Sequence, residues 1–295
     1  MNKLNIALFG YDSYTGQLPR YREGFEQLGH KLTFENPDII YANDPTGYKS
    51  AIELKNTFVK SCLILHFLDI PWHHKNVNHW INNVTSALNF ANAVCVNSEK
   101  VKNDLIKYFS KKELHVTYDI SKDVYLNDKI IKNNDFLYVG RANDPVKRIN
   151  LVKESLKLIP EKLEKIKICG TENPGFGNYI GLINDEELNK LYNETYFVML
   201  PSKNEGIGLS MIEGMICGSV PIMCSDNLTA IEFAPKEFIC EPDPKSIKNK
   251  IEEIKNDYKN FRELALKFGE KYKIQFNKKT IVNNIIEIYK NTKID

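Results

Sequence analysis

Residues 201–226 read PSKNEGIGLSMIEGMICGSVPIMCSD, and the fold turns on how this stretch is parsed. The apolar run at 196–200 just ahead of it has the length and composition of a buried strand. After Gly208, the residues Leu209, Ile212, Met215 and Ile216 recur at helical spacing, and Gly218 is placed to stop the helix. Residues 220–224 then read as the next strand. Strand, glycine-rich turn, helix and strand make a βαβ unit of a parallel sheet. Glu205 falls on the loop at the C-terminal end of the first strand, and Glu213 in about the first turn of the helix. Open α/β sheets bind ligands at that end of their strands. Gly206, Ile207 and Gly208 let a ligand approach the backbone, and the N–H groups near Gly208, Leu209 and Ser210 favour an anion.

The same alternation runs outward in both directions. Upstream, strands are expected at 4–9, 31–34, 39–41, 63–66 and 93–97, with helices at 19–28, 47–60, 79–90 and 98–109. The polar stretch 125–134 lacks an apolar face and reads as a linker. The pattern restarts with a strand at 136–139, a helix at 149–158, a strand at 165–169 and a short helix at 185–192. The last part is helical, with Ile247, Ile251, Ile254, Tyr258 and Phe261 on one face and a final helix at 280–289. Two similar α/β halves joined near residue 130, with a small-molecule site in the cleft between them, are therefore expected.

Composition narrows the classes. A chain of 295 residues accommodates two ordinary domains, and a formal charge of +2 gives no bulk attraction to nucleic acid or an anionic membrane. The apolar run at 4–9 is too short for a signal peptide, and no window approaches the ~20 apolar residues of a spanning helix, so a cytoplasmic protein is expected. The 6 cysteines are scattered without a C-x-x-C pair and read as small buried hydrophobes. His66, His73, His74 and His79 lack carboxylate or cysteine partners at ligand spacing, and no metal is expected. Lys100, Lys102, Lys107, Lys111 and Lys112 could serve a membrane-peripheral contact, although a solvated helix face accounts for them better.

The segment 201–218 resembles the E-x7-E signature of retaining GT-B-fold glycosyltransferases, in particular glycosyltransferase family 4. That stretch reads approximately proline-serine, two variable residues, Glu-Gly-Phe-Gly-Leu, then Glu-Ala-Met-Ala-Cys-Gly. Pro201-Ser202 and Cys217-Gly218 match it, while Ile207 replaces the aromatic residue and Gly214 the alanine. The resemblance is close over residues 93–290 and loose before them. It implies a GT-B fold, with two Rossmann-like parallel-sheet domains facing a cleft. Residues 1–130 would form a compact acceptor domain, with a final helix at about 280–295 returning to it, and 131–279 the nucleotide-sugar-binding domain.

The resemblance also distributes roles. Gly140-Arg141, with Lys147 following, is similar to the family's phosphate-binding pattern; Arg141 and Lys147 would stabilise the departing diphosphate. Arg148 stands where a small residue is common. Glu213 would accept hydrogen bonds from the ribose hydroxyls. Glu205 would sit near the donor sugar, orienting hydroxyls or stabilising positive charge, with a nucleophilic role left open. The loop bearing Leu182 and Ile183 would meet the nucleotide base, and Asn184 with Glu187 also fits a helix-capping box. His66, at a strand end, is expected to face the sugar or acceptor, although its Asp is displaced to Asp69. The loop from Gly10 to Gly16 resembles a shortened diphosphate-approaching loop without the usual glycine pair. The function implied is metal-independent retaining transfer, with no cofactor, from a nucleotide-diphosphate sugar to a glycan, lipid or protein acceptor. The alternatives are a GT-B-fold sugar-nucleotide epimerase or hydrolase, or a non-catalytic sugar-nucleotide or glycan-binding module.

Overall fold

The structure is a computed structural model describing residues 3–11, 16–68, 77–108 and 113–292. The chain divides into two compact units, Met1–Ile120 with Gln275–Asp295, and Ser121–Ile274.

The first unit runs β1 (Asn5–Phe9), α1 (Leu18–Gln27), β2 (Lys31–Leu32), β3 (Ile39–Ala42), α2 (Pro45–Thr57), β4 (Cys62–Phe67), α3 (Val77–Phe90), β5 (Ala93–Val96), α4 (Glu99–Leu105) and β6 (Leu114–Val116). All its strands are parallel, in the order β2-β1-β3-β4-β5-β6. Successive strand residues point to opposite faces, and both faces are covered. Ile40, Ala42, Leu63, Leu65 and Val94 join one core, with Tyr48 and Ala51 of α2. Ile39, Tyr41, Cys62, Ile64 and Ala93 join another, with Tyr21 and Phe25 of α1. Burial on both faces is why these strands read as unbroken apolar runs.

That second core is closed by the far end of the chain. Helix α10 (Lys278–Asn291; the intervening helices are given below) inserts Ile281, Val282, Ile285 and Ile286 beside Tyr21 and Phe25. Asn277 caps it by accepting from the Lys279 amide. Lys278 pairs with Glu23 of α1 at 2.7 Å. The expected return of the final helix is thus present.

The second unit runs β7 (Asn134–Val139), α5 (Ile149–Lys157), β8 (Lys167–Cys169), β9 (Asn178–Gly181), α6 (Asp185–Glu194), β10 (Thr195–Leu200), α7 (Leu209–Ile216), β11 (Val220–Cys224), β12 (Ile239–Cys240), α8 (Pro244–Asn256) and α9 (Tyr258–Gln275). Its strands are also all parallel, in the order β12-β11-β10-β7-β8-β9. The apolar face read from Ile247 to Phe261 belongs to two helices, because α8 ends at Asn256 and Asp257 (φ −139) turns the chain. The polar stretch at 125–134 is tied down: the Tyr125 and Asn127 amides donate to the buried side chains of Asn189 (2.8 Å) and Asn193 (2.7 Å) on α6. Among the described residues no helix is long and apolar enough to cross a membrane.

Candidate active site

In the second sheet the chain moves outward from β7 through β8 to β9, then returns and moves the other way from β10 through β11 to β12. The reversal falls between the paired strands β7 and β10. Loops leaving adjacent strands at such a point part to opposite sides and open a crevice at the strands' C-terminal ends. The loop after β7 carries Gly140, Arg141 and Lys147; the loop after β10 carries Glu205 through Gly208.

These two loops meet. Lys147 Nζ lies 2.6 and 2.7 Å from the two Glu205 carboxylate oxygens, with both side chains largely buried. The Lys203 amide donates to Val146 O at 2.9 Å, joining the loops by backbone as well. Lys147 ends a 3-10 turn begun by Pro145 and capped by Asp144, which accepts from the Val146 amide and from Arg141 Nη2 at 2.7 Å. Burial raises the Asp144 carboxyl, but the Val146 amide and Arg141 outweigh it and hold it below its ordinary value. Arg148 follows in the left-handed region (φ +47), and its guanidinium forks onto Asp226 at 2.7 and 2.8 Å. Three cations, Arg141, Lys147 and Arg148, thus face three carboxylates, Asp144, Glu205 and Asp226. Arg141 is the exposed member.

The α7 end is built on a close approach. Gly208 is left-handed (φ +84), and a Cβ there would come within 2.9 Å of Leu200 Cδ2. Ile207 is buried, which accounts for an apolar residue within a polar loop, and Leu209 and Ser210 open the helix. Gly170 is similarly forced: a Cβ there would lie 2.0 Å from Gly140 O.

Glu213 is the fifth residue of α7, just past its first turn, and is almost wholly buried. One carboxylate oxygen accepts from Tyr192 Oη at 3.0 Å and the other from the Lys122 amide at 2.9 Å. Burial, then the Glu213 charge and their hydrogen bond, push the Tyr192 hydroxyl well above its ordinary value, so it stays a donor. Lys122 Nζ pairs with Asp185 Oδ1 at 2.5 Å, linking this carboxylate to the start of α6. Leu182 is exposed and Ile183 half-buried just before α6, whose Asn184–Glu187 capping box has both hydrogen bonds. The pattern-based reading missed Tyr192, whose helical position looks like core, and Asp226 and Lys122, which carry no local signal.

The first-unit candidates fare differently. His66 is fully enclosed on β4, with Nδ1 in hydrogen-bond reach of the Tyr21 and Tyr41 hydroxyls. Burial lowers it to about 3, only partly offset by the Thr117 backbone, so it is a neutral core histidine. The expectation that it faces substrate is corrected: the tyrosines of α1 and β3 cover the strand end on which it sits. Gly16 is half-buried just before α1. Residues 12–15, Asp69, His73, His74, Lys111 and Lys112 lie outside the described residues.

The known proteins most usefully compared share this architecture. Anabaena Alr3699/HepE, in complex with UDP and glucose, superposes with a TM-score of 0.76 at 16% identity, over 97% of this chain and 99% of that one. A glycosyltransferase from Rickettsia africae gives 0.74 at 15% identity, over 99% of each chain. The fold is GT-B. Residues 177–275, from β9 to the end of α9, match the family model described as glycosyl transferases group 1. The O-antigen chain mannosyltransferase B of Escherichia coli is 30% identical over 120 residues, which is 39% of this chain and 30% of that protein. The serotype-specific mannosyltransferase WbdA of E. coli is 23% identical over 278 residues, 77% of this chain and 34% of that protein. The chain spans about a third of the length of these curated relatives.

Proposed function

We propose that this chain is a retaining, metal-independent glycosyltransferase that takes a hexose from a nucleotide-diphosphate sugar. The observation that carries the reading is the Lys147–Glu205 pair at the reversal point of the second sheet, within a GT-B fold. The match of residues 177–275 to glycosyl transferases group 1 supports it. In this reading Lys147 and Arg141 leave their internal carboxylates for the donor diphosphate, and Glu213 receives the ribose hydroxyls. Glu205, freed of Lys147, stabilises positive charge on the sugar carbon. The bond from that carbon to the diphosphate oxygen breaks, its electron pair leaving with the nucleoside diphosphate. The acceptor hydroxyl attacks from the same face, and its proton passes to the departing oxygen, so configuration is retained. The cationic side chains supply the electrophilic stabilisation. The names of the E. coli relatives favour a mannosyl donor and a glycan acceptor, whereas HepE carries UDP and glucose.

The test is product formation from GDP-mannose and UDP-glucose with oligosaccharide acceptors, in EDTA. Transfer is expected with an unchanged anomer by NMR, and is expected to be abolished in folded Glu205→Ala and Lys147→Ala. Wild-type rates in either variant would remove these residues from the mechanism. Release of free sugar or an epimer without acceptor would point to the hydrolase or epimerase alternative. Nucleotide binding is read separately. At a hundredfold its dissociation constant, a nucleoside diphosphate should stabilise the protein by about 2.7 kcal/mol in thermal denaturation, and Glu213→Ala should lose that gain.

A further inference from the structure

We propose that Arg148 and Asp226 form a positioning clamp that holds the loops carrying Lys147 and Glu205 in register, a role resting on the transferase reading of that pair. Three loops converge here, those leaving β7, β10 and β11, and one guanidinium, carried by the first, joins it to the other two. Arg148 belongs to the first, its Nε donates to Pro201 O of the second at 2.7 Å, and its two terminal nitrogens reach Asp226 of the third at 2.8 and 2.7 Å. Pro201 begins the loop that carries Glu205, and Arg148 directly follows Lys147. The Lys203 amide to Val146 O bond joins the residue before Lys147 to the same loop, between Pro201 and Glu205. Two ties that do not involve the atoms of the ion pair therefore flank Lys147 on its own loop and fix the start of the loop that leads to Glu205.

The backbone makes the arginine itself informative. At φ +47 this position suits glycine, and a long side chain rarely takes it. The turn does not require an arginine; the fork and the carbonyl contact do. Lysine keeps the charge but not the geometry, because its three donors sit on one nitrogen, whereas the guanidinium reaches Pro201 through Nε and Asp226 through its two terminal nitrogens. Arg148 has no place among the reacting atoms in the proposed transfer, so its part is to position.

Arg148→Gly relieves the left-handed angle while removing the clamp, and Asp226→Asn weakens it from the other end. Hydrogen exchange of the amides at 202–208, measured without ligand, should quicken about tenfold in both variants and in Arg148→Lys. With whichever of GDP-mannose or UDP-glucose the wild type uses, kcat should fall about tenfold to a hundredfold with little change in thermal midpoint. The double variant Arg148→Gly/Asp226→Asn should be no worse than Arg148→Gly alone. Unchanged exchange at 202–208, additive losses in the double variant, or full activity of Arg148→Lys would overturn the clamp. Exchange is read on the protein alone, so it decides the clamp even if no donor is turned over, an outcome that would instead overturn the transferase reading.

Discussion

Asp119 shows how much a single buried carboxyl can govern. Its Oδ1 is shielded and has no hydrogen-bond partner among the described residues, and burial pushes the group up to about 7 even though Arg20 pulls the other way. The folded chain therefore keeps a proton that the unfolded chain releases near the ordinary value of 3.8, and stability falls as pH rises from there to about 7. His66 works in the opposite sense. Held at about 3 against 6.5 when unfolded, it excludes a proton that the unfolded chain takes up, so stability is lost as pH falls from 6.5 toward 3. The two slopes oppose each other across most of the acid range. Asp119→Asn should remove only the falling limb. Thermal midpoints recorded from pH 4 to 8 should show the variant gaining on the wild type as pH rises, and matching it at pH 4. A constant offset at every pH would show that Asp119 is not the titrating group.

At the scale of elements, the contact of α10 with α1 depends on an absent side chain. A Cβ at Gly24 would lie 2.7 Å from Val282 Cγ2 and 3.3 Å from the Lys278 carbonyl oxygen. In an exposed helix Gly→Ala is worth up to about 1 kcal/mol in favour of alanine. Here Gly24→Ala is expected to destabilise instead, by about 1–3 kcal/mol, because α10 must shift to admit the methyl. Urea denaturation gives the sign directly. The elements most legible from sequence were those whose burial is two-sided. β4 (CLILHF) and β10 (TYFVML) are apolar throughout because alternate residues enter different cores. β6, β9 and β12 escaped notice because they are short strands at sheet edges with partly exposed residues. Lys147 and Glu205 could be placed because each follows a recognisable strand. The Arg148–Asp226 fork could not, since 78 residues separate its partners and no local pattern joins them. His66 misled because its position at a strand end resembles an edge, while the covering tyrosines come from elsewhere in the sequence.

At the scale of the molecule, the first unit is discontinuous and the second is not. Ile281, Val282, Ile285 and Ile286 are all fully buried or nearly so against α1 and the first sheet. Ending the chain at Ile274 should therefore unfold the first unit while the second retains a cooperative transition. Hydrogen exchange would show this as lost protection in β1, β3 and β4 together with preserved protection in β7 and β10. Equal protection in the first unit with and without residues 275–292 would show that α10 is dispensable to it. The same arrangement sets an order in time. The second unit has all its residues once Ile274 has been added, whereas the first, made earlier, lacks one wall until the last helix is translated. At the ~5–20 residues per second of synthesis, the first unit waits on the order of ten seconds with one apolar sheet face covered by α1 but not by α10. The segment encoded second is thus the first that can finish folding, and the nascent chain is most open to aggregation, or to chaperone capture, during that wait.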